Sequence, residues 1–390
     1  MKEITISILS LIIMVGCQNR HSAENRIEYI DSLKISLENT ALKVALINLV
    51  QENNVRPYSI FLDNYLIVLN KRDSFYAFNT NRFERDSVFE NKLNIKGFKR
   101  AFTAFDDLYG IDENNQAFRY ERRTAEWIES DDLPFSNSTP IYENDKYICY
   151  SICHGEFGGY VFFYNKQTKR TTFVRATCAV SLIEQQSGGF YIASSLSHMV
   201  NSSYIKNIED PDLLSKVPDT SRHFDNYWDK ISLYDSIILA DTTITDSQIS
   251  DFLRIDENGN VIQRPQYVFD TWGDILITAG FKIKGENYFI TDYHSVRNAS
   301  FHQETRLTKL HNDSLVVINT ADTIFSGLPY SNGGITRKVK DNIILDYTQS
   351  PNRTEYQPES KYRNLLLTTF IITDTTLIRI NWIDWEKEQE

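Results

Sequence analysis

The chain has 390 residues, a formal net charge of −11 and four cysteines. A charge of this sign disfavours nucleic acid and anionic membrane surfaces as partners, because both repel an acidic protein. With 22 Tyr and 23 Phe, the chain is rich in side chains that suit the half-buried faces of β-sheets. The composition therefore indicates a β-rich protein with no nucleic-acid partner.

The chain begins with a segment typical of secretory signals. Lys2 precedes the apolar run 4–15, which is shorter than the roughly 20 residues that a membrane-spanning helix needs. The run ends in Met14-Val15-Gly16-Cys17, which resembles the lipobox of bacterial lipoproteins. The resemblance implies that residues 1–16 are a signal peptide and that Cys17 carries a lipid. An ordinary secretory signal with a chance cysteine is the alternative.

The polar residues 17–26 predict a tether between the lipid and the folded part. By resemblance to lipoprotein sorting rules, Gln18 in place of Asp argues against retention in the inner membrane. The lack of an acidic run after Cys17 argues against export to the cell surface. We therefore expect a lipid anchor in the outer membrane that faces the periplasm.

Residues 27–54 are ambiguous between strand and helix. Ile27, Tyr29 and Leu33 follow mostly the period of a strand, whereas 41–50 fit either structure. This segment is a candidate for a closing strand that pairs with the end of the chain.

One pattern recurs six times within residues 55–385: a polar or glycine turn pair, then a short strand of β-branched and aromatic residues. The first four repeats start 43, 38 and 44 residues apart, which is the size of a four-stranded propeller blade. The first unit predicts strands over 58–62, 65–70, 74–78 and 83–89. The second strands are predicted to begin near Tyr65, Leu108, Tyr147, Phe190, Tyr288 and Ile343.

This spacing predicts an all-β chain that forms a six-bladed β-propeller, followed by a charged tail at 386–390. Seven blades are the alternative, because residues 230–240 could form a further hairpin. The pattern resembles the six-bladed, TolB-like propeller lipoproteins of Gram-negative bacteria. That resemblance rests on repeat spacing and carries no functional residue to this chain.

The widest gaps are predicted between second and third strands, at 195–250, 292–304 and 348–364 in units four to six. Such connections emerge on one face, and insertions gathered on one face of a repeat protein usually mark the binding face. Simple tolerance of insertions is the alternative. The candidate binding face consists of His154, Glu156, His198, His223, Tyr227, Trp228, Asp292, Tyr293, His294, Arg297, His302, Arg353 and Tyr356.

The chemistry of these side chains leaves two interpretations open. Aromatic side chains with arginines suit stacking on sugars or anchoring peptides, although they could equally pack the loops onto the propeller. Histidines with carboxylates suit a metal or acid–base site, but no spacing here is diagnostic. We therefore predict no metal and no cofactor.

Three cysteines remain besides Cys17. Cys149 and Cys153 lie four residues apart on one predicted strand, which is too distant for a bridge. One disulfide with Cys178 is an alternative, and buried free thiols are the favoured arrangement.

The sequence thus predicts a periplasmic, lipid-anchored binding or scaffold propeller that recognises a peptide, glycan or partner protein. A glycan hydrolase or lyase is the alternative. The chain lacks the common nucleophile-elbow, zinc and nucleotide motifs, which leans against an enzyme. Ionisable side chains that converge at the mouth of the central channel would favour the enzyme, and a broad aromatic surface would favour the binder.

Replacement of Cys17 by Ala should abolish incorporation of radioactive palmitate in cells, because the thiol carries the lipid. Gel autoradiography of the immunoprecipitated protein measures the label. A Cys149→Ala variant should stay labelled, and label on the Cys17→Ala protein would contradict the lipoprotein assignment.

Overall fold

A computed structural model describes the parts of the chain that bear on the fold. These are residues 26–28, 35–37, 40–51, 58–70, 72–135, 138–155, 158–197, 201–217, 254–255, 261–263, 267–272, 275–297, 300–311, 314–320, 335–339, 342–348 and 365–384. The predicted signal peptide, most of the tether and the charged tail lie outside the described residues. Within these ranges, no helix has the length and apolarity that a membrane crossing requires.

Three strands precede the repeats: β1 (Arg26–Glu28), β2 (Ile35–Leu37) and β3 (Thr40–Gln51). Both short strands pair antiparallel with β3. On its other edge, β3 pairs in parallel with the last strand of the chain over nine residues, from Lys43 opposite Thr376 to Gln51 opposite Asp384.

The remaining strands form six antiparallel units in chain order, here called sheets 1 to 6. Sheet 1 has β4 (Ile60–Leu62), β5 (Tyr65–Leu69), β6 (Phe75–Asn79) and β7 (Glu84–Arg85). Sheet 2 has β8 (Arg100–Ala104), β9 (Asp107–Ile111), β10 (Ala117–Glu121) and β11 (Glu126–Glu129). Sheet 3 has β12 (Pro140–Glu143), β13 (Tyr147–Cys153), β14 (Gly159–Asn165) and β15 (Arg170–Arg175).

Sheet 4 has β16 (Ala179–Glu184), β17 (Phe190–Ser197) and β18 (Asn201–Ile208), and is completed by β22 (Tyr267–Trp272). Between β18 and β22 lie a 3₁₀ turn (Pro211–Leu213), β19 (Ser215–Lys216), which pairs with β15, and a hairpin of β20 (Arg254–Ile255) with β21 (Val261–Gln263). Sheet 5 has β23 (Ile275–Ile283), β24 (Glu286–Arg297), β25 (Ser300–His311) and β26 (Ser314–Thr320). Sheet 6 has β27 (Ile335–Val339), β28 (Asn342–Thr348), β29 (Leu365–Ile372) and β30 (Thr376–Asp384).

The repeat pattern located the second strands correctly, since its six starting residues all fall within the first three residues of β5, β9, β13, β17, β24 or β28. The fourth strand predicted over 83–89 exists but is shorter than expected: β7 ends at Arg85, and α1 (Ser87–Leu93) follows. The Asp86 carboxylate caps this helix by accepting a hydrogen bond from the Phe89 N–H at 2.9 Å. The capping residue therefore outweighed the strand pattern.

Two of the predicted long connections between second and third strands are also wrong. In sheet 4, residues 201–208 form the third strand, so the long insertion lies between the third and fourth strands. The sequence pattern does not predict this strand, because its residues Ser203 and Lys206 are polar although they are buried. In sheet 5, most of 292–304 is paired strand, and only residues 298–299 separate β24 from β25. The wide gap in sheet 6 does separate β28 from β29.

Successive sheets pack face to face around a ring. Each sheet shares an apolar core with the next, and sheet 6 shares one with sheet 1, so the described sheets close on themselves. The cores pair Ile67 with Leu108, Phe102 with Phe162, Phe163 with Phe190, Ile183 with Ile277, Phe281 with Leu345, and Phe78 with Trp382. This ring of antiparallel sheets is a β-propeller. A blade number for the whole chain stays a prediction, because 218–253 lies outside the described residues.

One disulfide joins neighbouring sheets. Cys153, at the end of β13, is bonded to Cys178, just before β16, and Cys149 is a buried free thiol. The expectation of free thiols is therefore right for Cys149 and wrong for the other two. The packing of sheet 3 on sheet 4 brings the two Cα atoms to within 4.4 Å of each other. The spacing of the cysteines in the sequence does not predict this approach.

A buried polar network sits where sheet 6 meets sheet 1. The Asp346 carboxylate accepts hydrogen bonds from the Ser59 N–H at 2.7 Å and from the Thr369 hydroxyl at 2.6 Å. It also pairs with the Arg337 guanidinium, which donates to the Ser59 carbonyl at 2.6 Å and lies 3.8 Å over the Tyr58 ring. Tyr58 in turn donates its hydroxyl to the Pro140 carbonyl of sheet 3 at 2.8 Å. The network thus links three sheets beside the central axis.

Replacement of Asp346 by Ala should lower the free energy of unfolding by about 3–5 kcal/mol, because it leaves the Arg337 guanidinium buried without its counter-charge. Equilibrium denaturation in urea measures the effect. The apolar pair Arg337→Met with Asp346→Leu should lie within about 2 kcal/mol of the natural chain, since no unpaired charge remains. A double variant less stable than Asp346→Ala would show that the pair acts in some other way.

Candidate functional site

The predicted binding face can be followed at a few of its residues. Only His154 and Asp292 have described side chains. Tyr293, His294, Arg297 and His302 are described as positions in β24 and β25, and the predicted loop residues Glu156, His198, His223, Tyr227, Trp228, Arg353 and Tyr356 lie outside the described residues.

Asp292 has a structural side-chain contact, and His154 is placed by its backbone. Asp292 is buried and accepts a hydrogen bond from the Thr305 hydroxyl at 2.8 Å within the β24–β25 hairpin. His154 follows β13, and its backbone N–H donates to the Gly158 carbonyl at 2.9 Å, closing the turn to β14. Partial burial lowers the pKa of His154. In this part of the chain, no group of three or more His, Cys, Asp or Glu side chains is placed to hold a metal ion.

The four strand positions belong to one ladder. Tyr293 is opposite Glu304, His294 opposite Gln303, and Ser295 opposite His302. His302 therefore alternates in step with Tyr293 and Arg297, whereas His294 belongs to the other set. The hairpin brings these residues into register, but as strand positions and not as the loop residues that were predicted.

Because neighbouring strands of a sheet run in opposite directions, the connections between them emerge on two faces of the ring. Turns between first and second strands, and between third and fourth strands, emerge on one side, here called the turn face. The connections between second and third strands emerge on the other. The insertion of sheet 4 leaves β18 at Ile208 and returns at Tyr267, so both of its ends lie on the turn face. The insertions are therefore not collected on one face.

Two cavities in the described part of the chain open on the turn face, around the central axis. The first, of about 360 Å³, lies between the turns of sheets 1, 2, 3 and 6. The second, of about 500 Å³, lies between the turns of sheets 4, 5 and 6 and the end of β12. We call them the acidic cavity and the lysine cavity. Together they occupy the mouth of the propeller's channel, and we call this combined space the funnel.

The acidic cavity collects carboxylates from successive turns. Its charged lining consists of Asp63, Asp106, Glu143, Asp145 and Lys166. Asp63 accepts two hydrogen bonds from Arg122, both at 2.9 Å, and Glu143 pairs with Lys166 at 2.6 Å. Burial raises the pKa of the Glu143 carboxyl, while the Lys166 ammonium opposes the shift. The cavity is therefore negative on balance, and two of its acids are held by basic partners.

The lysine cavity has the opposite balance. Its charged lining consists of Lys282, Lys284, Lys338, Glu184 and Asp374. Its floor is apolar, with Leu182, Phe281 and Ile343, and its remaining lining includes the hydroxyls of Thr336, Thr373 and Thr375. Three ammonium groups thus face two carboxylates.

A bridge between opposite sheets divides the funnel. Tyr142 of β12 and Lys338 of β27 are parallel partners in the strand register, and the Lys338 ammonium lies 5.4 Å from the Tyr142 ring centroid. The Tyr142 hydroxyl donates to Glu184 of sheet 4, and burial raises the pKa of that hydroxyl. This contact lies between the two cavities, so the mainly acidic lining and the mainly basic lining are on opposite sides of it.

The funnel was missed although its lining was visible in the sequence. The polar turn pairs of the repeat, such as Asp63-Asn64 and Asn144-Asp145, are the residues that line the acidic cavity. They were interpreted only as turn formers. Because every repeat places this turn at the same end of its sheet, their repetition itself predicts a ring of polar side chains around the axis.

Comparison with known proteins gives distant likenesses. No known family and no curated protein matches the chain. Among solved structures, it is similar to BamB from Moraxella catarrhalis, with 7% identity over 76% of this chain and 83% of that chain and a TM-score of 0.36. A chain of a mitotic checkpoint complex shows 8% identity over 83% of this chain and 75% of that chain, with a TM-score of 0.35.

The third likeness is to PorZ, a surface component of the type-IX secretion system of Porphyromonas gingivalis, with 8% identity and a TM-score of 0.31. It covers 84% of this chain and 33% of the PorZ chain, so this chain spans about a third of PorZ. Likenesses this distant carry no residue or ligand across.

Lowering the pH from about 7 to about 5 should stabilise the natural chain relative to Glu143→Gln. The raised pKa means that the folded state disfavours the ionised carboxyl, so protonation adds stability as the pH falls through that pKa, and the Gln variant lacks this gain. Urea denaturation at both pH values gives the difference, with the exposed Glu129→Gln as the matched control. A difference between natural chain and variant that does not change with pH would contradict the shift.

Proposed function

We propose that the chain is a lipid-anchored binding or scaffold propeller of the periplasm, and that its ligand or partner binds in the divided funnel of the turn face. The observation that carries the proposal is the position of the two cavities, which share the mouth of the channel and draw their lining from all six sheets. Sheet faces are consumed by packing against neighbouring sheets, so chemistry that faces a ligand is left to the turns.

The anchor and the funnel have complementary roles in this proposal. A lipid on Cys17 holds the propeller at the outer membrane, and the tether lets it turn toward a partner in the periplasm. The funnel supplies two adjoining pockets of opposite charge, which fixes the orientation of a ligand or of a partner's loop by electrostatic complementarity.

Site-specific photocrosslinking in the native host tests the proposal. A photoreactive amino acid at Asn64 in the acidic cavity, or at Gln185 in the lysine cavity, should give a discrete adduct after illumination. The matched positions Val88 and Leu213 are exposed and lie outside both cavities, so they should give none. Equal adducts from all four positions, or none from either funnel position, would refute the proposal.

A glycan hydrolase or lyase is the second candidate. One observation favours it: Glu143, whose pKa is raised, and Asp106 line the same cavity at the mouth of the channel, and a carboxylate pair is the usual machinery of glycoside hydrolysis. This candidate ranks second because the paired Lys166 ammonium favours the ionised form of Glu143, and an ionised carboxylate has no proton to donate as a general acid. Mass spectrometry of the crosslinked adduct separates the two candidate functions. An enzyme should be crosslinked to shortened glycans, and a binding propeller to an intact ligand or partner.

A further inference from the structure

We propose that the lysine cavity binds the carboxylate of an acidic sugar, a uronate of the kind found in anionic glycans. The proposal deepens the binding function proposed above and rests on it. It is carried by lysines of the cavity that have no carboxylate partner among the described residues, by a buried hydroxyl in its wall that is unsatisfied among the same residues, and by the mixture of donors and acceptors around them.

Two lysines of this cavity have no carboxylate partner within the described chain. The Lys284 ammonium is exposed and makes no ion pair there. The Lys282 ammonium makes one hydrogen bond, to the Glu184 carbonyl at 2.9 Å, and an ammonium has three protons to donate. Lys338 lies 3.8 Å from the Glu184 carboxylate. The Glu184 side chain is already engaged by Tyr142 and by Asn144. Cationic donors therefore remain available to an anion.

A buried hydroxyl in the wall of the cavity also lacks a partner within the described part of the chain. Thr336 on β27 is 4% exposed, and its Oγ1 makes no hydrogen bond among the described residues. A buried polar group without a partner is costly and uncommon in a folded protein. Because Thr336 lines the same cavity as the three lysines, a ligand that reaches this wall would satisfy it.

The backbone at Lys284 points the same way. Lys284 and Gly285 connect β23 to β24 with φ values of 48° and 87°, so both residues are in the left-handed region. Two-residue hairpin turns of this kind favour Asn or Gly at the first position, because a Cβ is strained there and Asn tolerates that strain best. Asn would therefore suit the turn better than lysine, whereas the lysine places a charge at the rim of the cavity.

The charge and polarity of the cavity select the ligand class. Three ammonium groups against two carboxylates leave one positive charge, which matches a ligand with a single negative charge better than a doubly charged phosphate. Glu184 and Asp374 accept hydrogen bonds and cannot donate them when ionised, so the ligand must also present donors. A sugar acid combines one carboxylate with several hydroxyl groups. The cavity of about 500 Å³ falls within the usual range for small-ligand sites.

Titration of the full-length protein with D-glucuronate and D-glucose, followed by ligand-detected NMR, tests the proposal. D-glucuronate should bind, and D-glucose should bind at least about tenfold more weakly, because it lacks the charge that the lysines recognise. Lys284→Asn should weaken D-glucuronate binding about five- to tenfold while the melting temperature stays unchanged or rises, since Asn suits the turn.

Two further variants control for structural effects. Lys169→Asn is the matched control, because Lys169 is also an exposed lysine in the left-handed region, with a φ of 58°, and lies outside the cavity. It should change binding less than about twofold. Thr336→Val should raise the melting temperature, since it removes an unsatisfied buried hydroxyl, and should weaken binding about three- to tenfold. A role confined to packing would leave binding unchanged.

Several outcomes would overturn the inference. One is D-glucuronate binding that is absent, or equal in the natural chain and in Lys284→Asn. Another is Lys284-dependent binding of N-acetyl-dialanine with none of D-glucuronate, which would reassign the cavity to a peptide carboxyl terminus. If crosslinking from Asn64 succeeds while neither D-glucuronate nor N-acetyl-dialanine binds, the proposed binding function of the funnel stands and the sugar-acid assignment is wrong.

Discussion

The packing of sheet 6 against sheet 1 is the constraint on which the rest of this molecule depends. A sheet buried on both faces needs two neighbours, and the first and last sheets find theirs only when the chain closes. Phe78 and Trp382 supply the apolar part of that contact, with ring centroids 5.5 Å apart. The Asp346 network supplies the directional part, because a buried carboxylate tolerates only the arrangement that satisfies its hydrogen bonds. Closure is therefore specified as well as stabilised.

Closure also creates the funnel. Once sheets 3 and 6 face each other across the axis, Tyr142 and Lys338 meet and divide the space between the turns. The turns of sheets 1 to 3 carry the carboxylates of the acidic cavity, and the lysines of the other cavity come from sheets 5 and 6. The division therefore keeps these opposite charges apart. The two cavities thus follow from one inter-sheet contact and from the order of the repeats.

The same residues serve folding and recognition. Polar pairs that close tight hairpins also form the mouth of the channel, because every first turn of a sheet projects toward the axis. Lys284 is an exception, since it occupies a left-handed position that Asn or Gly would fill with less strain. At this position the lysine places a positive charge at the rim of the lysine cavity.

The sequence by itself determined the β class, the repeat and the second strand of each sheet, because alternation and turn chemistry are local properties that recur in each repeat. It did not determine α1, where the Asp86 cap overrode a strand pattern, or β18, whose buried Ser203 and Lys206 are satisfied by groups distant in the chain. The funnel, the Cys153–Cys178 bond and the pairing of Arg337 with Asp346 were decided only by the tertiary structure. Each depends on which sheets become neighbours in space, and that choice is made by packing between sheets and not by any pattern within one of them.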